Sequence, residues 1–149
     1  LELDTYIGYA TEIAGIGVDF NANRFNYPGT SDTSWNTNEF SVTLSKDFKV
    51  AAVSGGLAYS PDFYGADKAT YWHAGVDVPV GPVTVSATYG FTNYDDDTMG
   101  DDYKDYSIGV SGELEGFGLA ATYTNTSGVA GGGADSCDGR VAFSVSKSF

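Results

Sequence analysis

The chain closes with the stretch RVAFSVSKSF at residues 140–149, in which apolar and polar side chains alternate. Val141, Phe143, Val145 and Phe149 are apolar, and small polar residues stand between most of them. A period of two is the pattern of a β-strand with one apolar and one polar face. A large aromatic residue is unusual at the end of a soluble domain, because chain ends normally fray into water. The pattern therefore predicts a strand that is either pinned in a core or faces lipid.

The same alternation recurs along the rest of the chain and marks about nine strand-like segments of roughly 9 to 12 residues, the length that crosses a bilayer at a tilt. The segments are residues 1–10, 15–26, 36–45, 49–60, 69–80, 83–92, 104–112, 117–125 and 140–149.

The connections between these segments alternate in length. Short turns are predicted at 11–14, 46–48, 81–82 and 113–116, and long polar loops at 27–35, 61–68, 93–103 and 126–138. Such alternation predicts an up-and-down meander with short turns at one end of the sheet and long loops at the other, as in outer-membrane barrels.

The composition favours an all-β protein and excludes several function classes. Gly and aromatic residues are abundant, with 20 Gly, 11 Tyr and 9 Phe in 149 residues. The net charge of −13, with only 7 Lys and Arg, argues against nucleic-acid binding. No apolar run reaches the roughly 18 residues of a transmembrane helix. Cys137 is the single cysteine, so it is an exposed loop thiol or pairs with a cysteine outside this sequence.

Charge placement separates the two faces of the predicted strands. Most of the 20 acidic residues fall in turns and loops, and none lies on an apolar track. The cations on apolar tracks, Arg24 and Lys147, stand near strand ends, where long side chains reach the interface. We predict that the polar tracks face an enclosed lumen. The lumen-facing candidates are Glu2, Asp4, Asp19, Glu39, Tyr71, His73 and Asp77.

Aromatic residues cluster at both ends of the apolar tracks, as the two interfacial girdles of a membrane barrel do. Those beside the long loops are Trp72, Phe91, Tyr106 and Tyr123, and those beside the short turns are Tyr9, Phe48, Phe117 and Phe149. This distribution favours an all-β, antiparallel, up-and-down transmembrane β-barrel over a soluble β-sandwich or a lipocalin-like barrel. Phe149 is then predicted to be the assembly signal read by the barrel-assembly machinery.

The strand count bears on the domain organisation. Bacterial single-chain barrels have an even number of strands and both termini in the periplasm. Because nine is odd, either an odd number of N-terminal strands is missing from this sequence or one of the nine segments is misread. On the first interpretation, residues 1–149 are one outer-membrane β-barrel domain that lacks N-terminal strands.

Several stretches resemble a known family, and the resemblance extends over nearly the whole chain. ELDTYIGYATEIAGIGVDF, ATYWHAGVDVPVGPVTVSATYGF and DGRVAFSVSKSF are similar to the TorF-type porins, the Gcw group of hypothetical proteobacterial outer-membrane proteins. The resemblance implies a Gram-negative outer-membrane barrel of about twelve strands. It implies no catalytic residues and no cofactor. Lys147 departs from the closing pattern, which usually has an apolar or aromatic residue there.

Two local features invite chemical interpretations. His73 and Asp77 could form a pH-sensitive constriction, or His73 could simply be a hydrogen-bonded lumen residue. The acidic loop 93–103 could bind divalent cations, although it lacks the ligand spacing of an EF-hand and could equally be a solvated loop.

The sequence thus predicts a non-enzymatic porin that gives small solutes passive, weakly cation-favouring passage through the outer membrane. The alternative is a non-conducting structural or surface-interaction barrel whose acidic loops bind divalent cations or a partner. The expected partners are outer-membrane lipid and lipopolysaccharide, the barrel-assembly machinery, and small cationic or neutral solutes, with no nucleic acid. No cofactor and no metal site are expected.

Overall fold

The computed structural model describes residues 1–29, 35–65, 67–95, 101–128 and 137–148. Within these segments it contains a single sheet of nine strands. The strands are β1 (Leu3–Ile13), β2 (Ile16–Asn26), β3 (Thr37–Asp47), β4 (Ala52–Ser60), β5 (Ala69–Val80), β6 (Val83–Tyr94), β7 (Tyr103–Leu114), β8 (Phe117–Ser127) and β9 (Arg140–Ser146).

Each strand pairs antiparallel with the next strand in the chain, so the sheet order is the sequence order from β1 to β9. This meander confirms the predicted antiparallel, up-and-down topology. β1 and β9 form the two edges of the sheet, and every other strand has a hydrogen-bonded neighbour on both sides.

The register gives the sheet one apolar face, because directly paired residues point to the same side. Val18 pairs with Leu44, and Ile108 pairs with both Ala87 and Tyr123. Large side chains on this face are exposed, including Ile108 at 55% and Phe143 at 81%.

The sheet has almost no buried apolar core in the described part of the chain. Val18 and Ala69 are the hydrophobic residues buried there. A soluble sandwich packs a second sheet against such a face and buries its large side chains. The exposed apolar face therefore favours the membrane-barrel interpretation over a sandwich.

The two ends of the sheet differ as the sequence predicts, but the short turns are tighter. Ala14 and Gly15 both have positive φ, at 53° and 73°, and Glu115 and Gly116 repeat this pattern at 51° and 76°. Two successive residues with positive φ are typical of type I′ hairpin turns. As a result Glu12 and Glu113 lie within strands and not in the turns where they were predicted.

The hairpin between β5 and β6 turns on a different residue pair. Gly81 has a φ of 60° and is followed by Pro82, an order that suits a type II′ turn. The Gly81–Pro82 turn agrees with the prediction for residues 81–82.

Two further observations concern membrane and assembly features. In the described segments no helix combines the length and the apolar character needed to cross a membrane. Phe149, the predicted assembly signal, lies outside the described residues. Two positions earlier in the sequence, Lys147 places its ammonium 4.1 Å from the centre of the Phe117 ring.

Candidate functional site

The polar face of the sheet carries a continuous row of directly paired residues across seven strands. From β2 to β8 this row is Asp19, Thr43, Gly56, His73, Gly90, Asp105 and Thr126. His73 therefore stands between two glycines, with an acidic residue further along the row in each direction.

The glycines of this row leave room for the aromatic side chains of β5. A β-carbon at Gly90 would collide with the Tyr71 hydroxyl and with the Asp105 carboxylate. A β-carbon at Gly56 would collide with Nε2 of His73. The side chains of Tyr71 and His73 therefore lie across the neighbouring strands β6 and β4 and do not project straight away from the sheet.

Tyr71 and His73 make hydrogen bonds in opposite directions along the sheet. The Tyr71 hydroxyl donates to Oδ1 of Asp105 at 3.3 Å, two strands away on β7. Nε2 of His73 lies 3.5 Å from Oγ1 of Thr43, two strands away on β3. The two rings stack with centroids 5.8 Å apart and an interplanar angle of 20°. Together these contacts join β3 to β7 through side chains.

A cavity of about 410 Å³ opens on this face beside Tyr71. Residues of six consecutive strands, β3 to β8, line it, including Glu39, Tyr71, Tyr103, Asp105 and Thr126. In a flat sheet Glu39 on β3 and Asp105 on β7 would be separated by at least about 19 Å, because four strand spacings of roughly 4.8 Å lie between them. Because both line one cavity, the sheet curves and its polar face is the inner, concave one.

The β4–β5 loop folds onto the long-loop end of the polar face. Oγ1 of Thr37 donates to the carbonyl of Asp62 at 3.2 Å and accepts the backbone N–H of Tyr64 at 2.6 Å. Thr37 is only 1% exposed, and Ser60 and Thr92 are also buried. Threonine and serine are buried here because the loop covers them.

Aromatic rings hold this loop in place over the cavity. The Phe63 ring packs against Tyr64 and Tyr94 with centroid distances of 4.5 and 5.7 Å. Tyr94 in turn lies 6.2 Å from Tyr103, and Tyr27 lies 5.8 Å from Tyr64. Phe63 lines the cavity directly. The loop thus forms one wall of the cavity.

The register places the predicted candidates within the strands, namely Asp4, Asp19, Glu39, Tyr71, His73 and Asp77, on the polar face. Glu39 and Tyr71 line the cavity, and His73 stacks on Tyr71. Asp19 accepts a hydrogen bond from Asn21. Glu2 precedes β1 and accepts a hydrogen bond from the Tyr27 hydroxyl at 2.5 Å.

The predicted pairing of His73 with Asp77 stays a hypothesis. Asp77 accepts a hydrogen bond from Oγ of Ser86 at 2.5 Å, whereas the ring nitrogen of His73 faces Thr43. The two residues thus have different neighbours on opposite sides of β5.

Sequence reasoning missed three residues that the structure brings into the cavity. Tyr103 was assigned to the loop 93–103 but lies in β7. Asp105 was placed in the predicted strand 104–112 but not among the lumen-facing candidates, and Phe63 was assigned to the loop 61–68 without any role. The alternation of faces along a strand could have identified Asp105 and Tyr103, because residues 103, 105 and 107 point to the same side and Ser107 lies on the polar track. Nothing local predicts that Phe63 turns inward.

The loop carboxylates have partners within the protein. Asp95 forms an exposed ion pair with Lys68 at 3.3 Å, and its hydrogen bond and charge raise the pKa of the Lys68 ammonium. Asp102 accepts hydrogen bonds from the Asn93 amide and the Tyr94 backbone at 2.8 and 2.9 Å. No group of three or more potential metal ligands occurs among the described residues. Residues 96–100 of the acidic loop 93–103, for which divalent-cation binding and a solvated loop were both considered, lie outside them.

Comparison with solved structures identifies the class of fold. A porin refined at 1.8 Å resolution matches with a TM-score of 0.64 and 16% sequence identity, over 95% of this chain and 50% of the porin. Acinetobacter baumannii OccAB4 matches with a TM-score of 0.62 and 10% identity, over 89% of this chain and 43% of OccAB4. The nine strands therefore have the fold of porin β-barrels. The chain spans half the length of the first porin and less than half that of OccAB4.

The chain belongs to the family described as bacterial protein of unknown function (Gcw_chp), whose model matches residues 1–149. This finding confirms the Gcw part of the resemblance seen in the sequence. No curated protein matches the chain.

Proposed function

We propose that this chain forms the wall of an outer-membrane porin that gives small solutes passive, weakly cation-favouring passage. One observation carries the proposal: a curved sheet has an exposed apolar convex face and a polar concave face that encloses a cavity. In this proposal the sheet closes into a barrel, with residues 1–149 as one domain. The narrower assignment to the TorF-type porins belongs to the proposal and rests on the stretches quoted above.

The apolar convex face supports the location in a membrane. Strands of 9 to 12 residues occur from β1 to β8, close to the 9 to 11 residues that span a bilayer at a tilt of about 45°. Lipid and lipopolysaccharide are the partners proposed for this face, and the barrel-assembly machinery is proposed to insert it. The polar loops stand at the extracellular end in this arrangement, as in other outer-membrane barrels.

The charges of the concave face support a preference for cations. Eight carboxylates lie on this face in the described strands, and Arg140 in β9 is the cation there. The carboxylates are those of Asp4, Glu12, Asp19, Glu39, Asp47, Asp77, Asp105 and Glu113. Carboxylates along a pore attract cations and repel anions. The excess of negative charge therefore favours cation flux.

Planar-bilayer recording of the purified protein tests this function. In a KCl gradient we expect stepwise conductance and a reversal potential whose sign corresponds to K⁺ passing more easily than Cl⁻. Absence of conductance, or preference for Cl⁻ at neutral pH, would contradict the proposal.

A non-conducting surface barrel is the second candidate, and the packing of the β4–β5 loop favours it. This loop buries Thr37 and places aromatic rings over the polar face, which narrows the path through a lumen. Removal of residues 61–65 distinguishes the two functions. A pore gains conductance when the loop is removed, whereas a closed barrel stays silent and loses only interactions at the cell surface.

A further inference from the structure

We propose that the cavity beside Tyr71 binds a small organic cation, with an ammonium group between Glu39 and Asp105 and its alkyl groups against aromatic rings. The inference rests on the proposed function in one respect, because it takes the concave face to be accessible to solutes. It names the class of solute that the protein selects.

The charge of the cavity points to a cation. Two carboxylates, Glu39 and Asp105, line it, and no Lys, Arg or His is among the described residues of its lining. Each carboxylate is held in place by one uncharged donor, the Asn23 amide at 3.4 Å from Glu39 and the Tyr71 hydroxyl at 3.3 Å from Asp105. These donors orient the carboxylates and leave both negative charges without a counterion in the cavity.

The aromatic walls point to an organic cation and not to a metal ion. Phe63, Tyr71 and Tyr103 line the same cavity as the two carboxylates. The negative face of an aromatic ring attracts ammonium groups and packs against their alkyl substituents. A calcium site needs 6 to 8 oxygen ligands, and strongly hydrated ions gain little from contact with a ring. The combination of two carboxylates and three rings therefore suits an alkylated ammonium group.

The size and rigidity of the cavity fit such a ligand. A volume of about 410 Å³ lies in the lower part of the range of roughly 300 to 1,000 Å³ found for small-molecule sites. Ring contacts from Phe63 to Tyr94 and from Tyr94 to Tyr103 fix two of the three walls. Tyr71 is fixed by its hydrogen bond to Asp105 and its stacking on His73. The site is preorganised, and little ordering is needed on binding.

Choline and its uncharged analogue 3,3-dimethyl-1-butanol are the probes that test the inference. Binding of each to the purified protein in detergent micelles is measured by saturation-transfer NMR and by titration. We expect choline to bind at least about tenfold more tightly than the alcohol, a difference of about 1.4 kcal/mol. Equal binding of the two probes would show an apolar or hydroxyl-binding site and would overturn the inference.

Conservative variants locate the binding site. Glu39→Gln and Asp105→Asn keep the shape of the side chains, and each is expected to weaken choline binding about tenfold. Phe63→Leu lies in a loop, keeps an apolar side chain and is expected to weaken choline binding about fivefold through loss of the ring. The matched control is Glu113→Gln, on the same strand and face as Asp105 but about 27 Å away at roughly 3.4 Å per residue.

The cation site and the pore can be contradicted independently, because one is tested by binding and the other by conductance. Unchanged choline affinity in Glu39→Gln, Asp105→Asn and Phe63→Leu overturns the cation site even if the protein conducts. Selective choline binding without conductance contradicts the pore and leaves the site supported. An equal loss in Glu113→Gln would show a diffuse charge effect and would also overturn the inference.

Discussion

The side chain of Tyr71 crosses over Gly90, and its hydroxyl donates a hydrogen bond to Asp105 on the strand beyond. The bond joins strands that are not neighbours, β5 and β7, and it is possible only because β6 has no side chain at the crossing point. The same principle holds at Gly56, where the absence of a side chain leaves space for His73. The position of Tyr71 in the cavity wall thus depends on Gly90, and the position of the His73 ring that stacks on Tyr71 depends on Gly56.

Substitution of Gly90 by Ala is expected to reduce stability and to disturb the cavity. The new β-carbon would displace the Tyr71 ring and the Asp105 carboxylate, which are both packed in place. We expect the free energy of unfolding to fall by about 1 to 3 kcal/mol, as for other overpacked sites. Urea unfolding of the protein in lipid vesicles measures the change.

Gly55→Ala is the control for this substitution. Gly55 lies on the apolar face of β4, and a β-carbon there would meet the backbone oxygen of His73 at 3.4 Å, an ordinary van der Waals distance. A loss of stability in Gly55→Ala equal to that in Gly90→Ala would show that loss of glycine, and not displacement of Tyr71, is responsible.

A charge on the apolar face is expected to be costly, whereas the adjacent position should tolerate it. Ile108 and Ser107 are neighbours near the middle of β7 and point to opposite faces. Ile108→Arg should lower the free energy of unfolding in lipid vesicles by about 2 to 4 kcal/mol, the cost of Arg facing the bilayer midplane. Ser107→Arg should cost less, because its side chain reaches the polar face. Equal costs at the two positions would contradict the assignment of the faces.

Thr37 is expected to hold the β4–β5 loop on the polar face. Thr37→Val keeps the shape of the side chain but removes the acceptor for the Tyr64 N–H and the donor to Asp62. We expect the free energy of unfolding to fall by about 1 to 3 kcal/mol, the cost of a buried unsatisfied group. Chymotrypsin should also cut faster at Phe63 or Tyr64. Thr37→Ser keeps the hydroxyl and should retain slow cleavage, and fast cleavage in both variants would contradict this role.

Ion selectivity is expected to depend on carboxylates outside the cavity as well. Asp19 and Asp77 lie on the polar face, and neither lines the cavity. The double substitution Asp19→Asn and Asp77→Asn should shift the reversal potential in a KCl gradient towards that of a non-selective pore, because fixed negative charge attracts K⁺. Glu115→Gln, in the β7–β8 turn, should leave the potential unchanged. An unchanged potential in the double variant would contradict a lumen position for Asp19 and Asp77.

Period-two alternation predicts the strands well because each strand has one exposed apolar and one polar face. All nine segments read from the sequence correspond to strands in the described residues. The positions at which the strands end near the short turns are less predictable. Ala14–Gly15 and Glu115–Gly116 have positive φ without the Asn-Gly or Asp-Gly pairs that usually mark such turns. The strands therefore extend beyond their predicted ends at Ala10 and Gly112.

The cavity is less predictable because it depends on contacts between distant parts of the chain. Glu39 was recognised as a residue of the polar face, but its approach to Asp105 results from curvature, which has no local signal in the sequence. The inward turn of Phe63 results from hydrogen bonds between its loop and Thr37 on another strand. The alternation of side chains along a strand predicts which face of the sheet a residue lies on, but it does not predict which residues of distant strands lie near it.

The strictly sequential order of β1 to β9 makes each antiparallel hairpin a self-contained building block. A gene duplication or deletion that adds or removes two successive strands leaves the other backbone pairings intact, because in the described sheet each backbone pairing joins strands that are consecutive in the chain. The circumference of such a protein can thus change in steps of two strands during evolution. Relatives with wider or narrower barrels could arise in this way without redesign of the remaining wall.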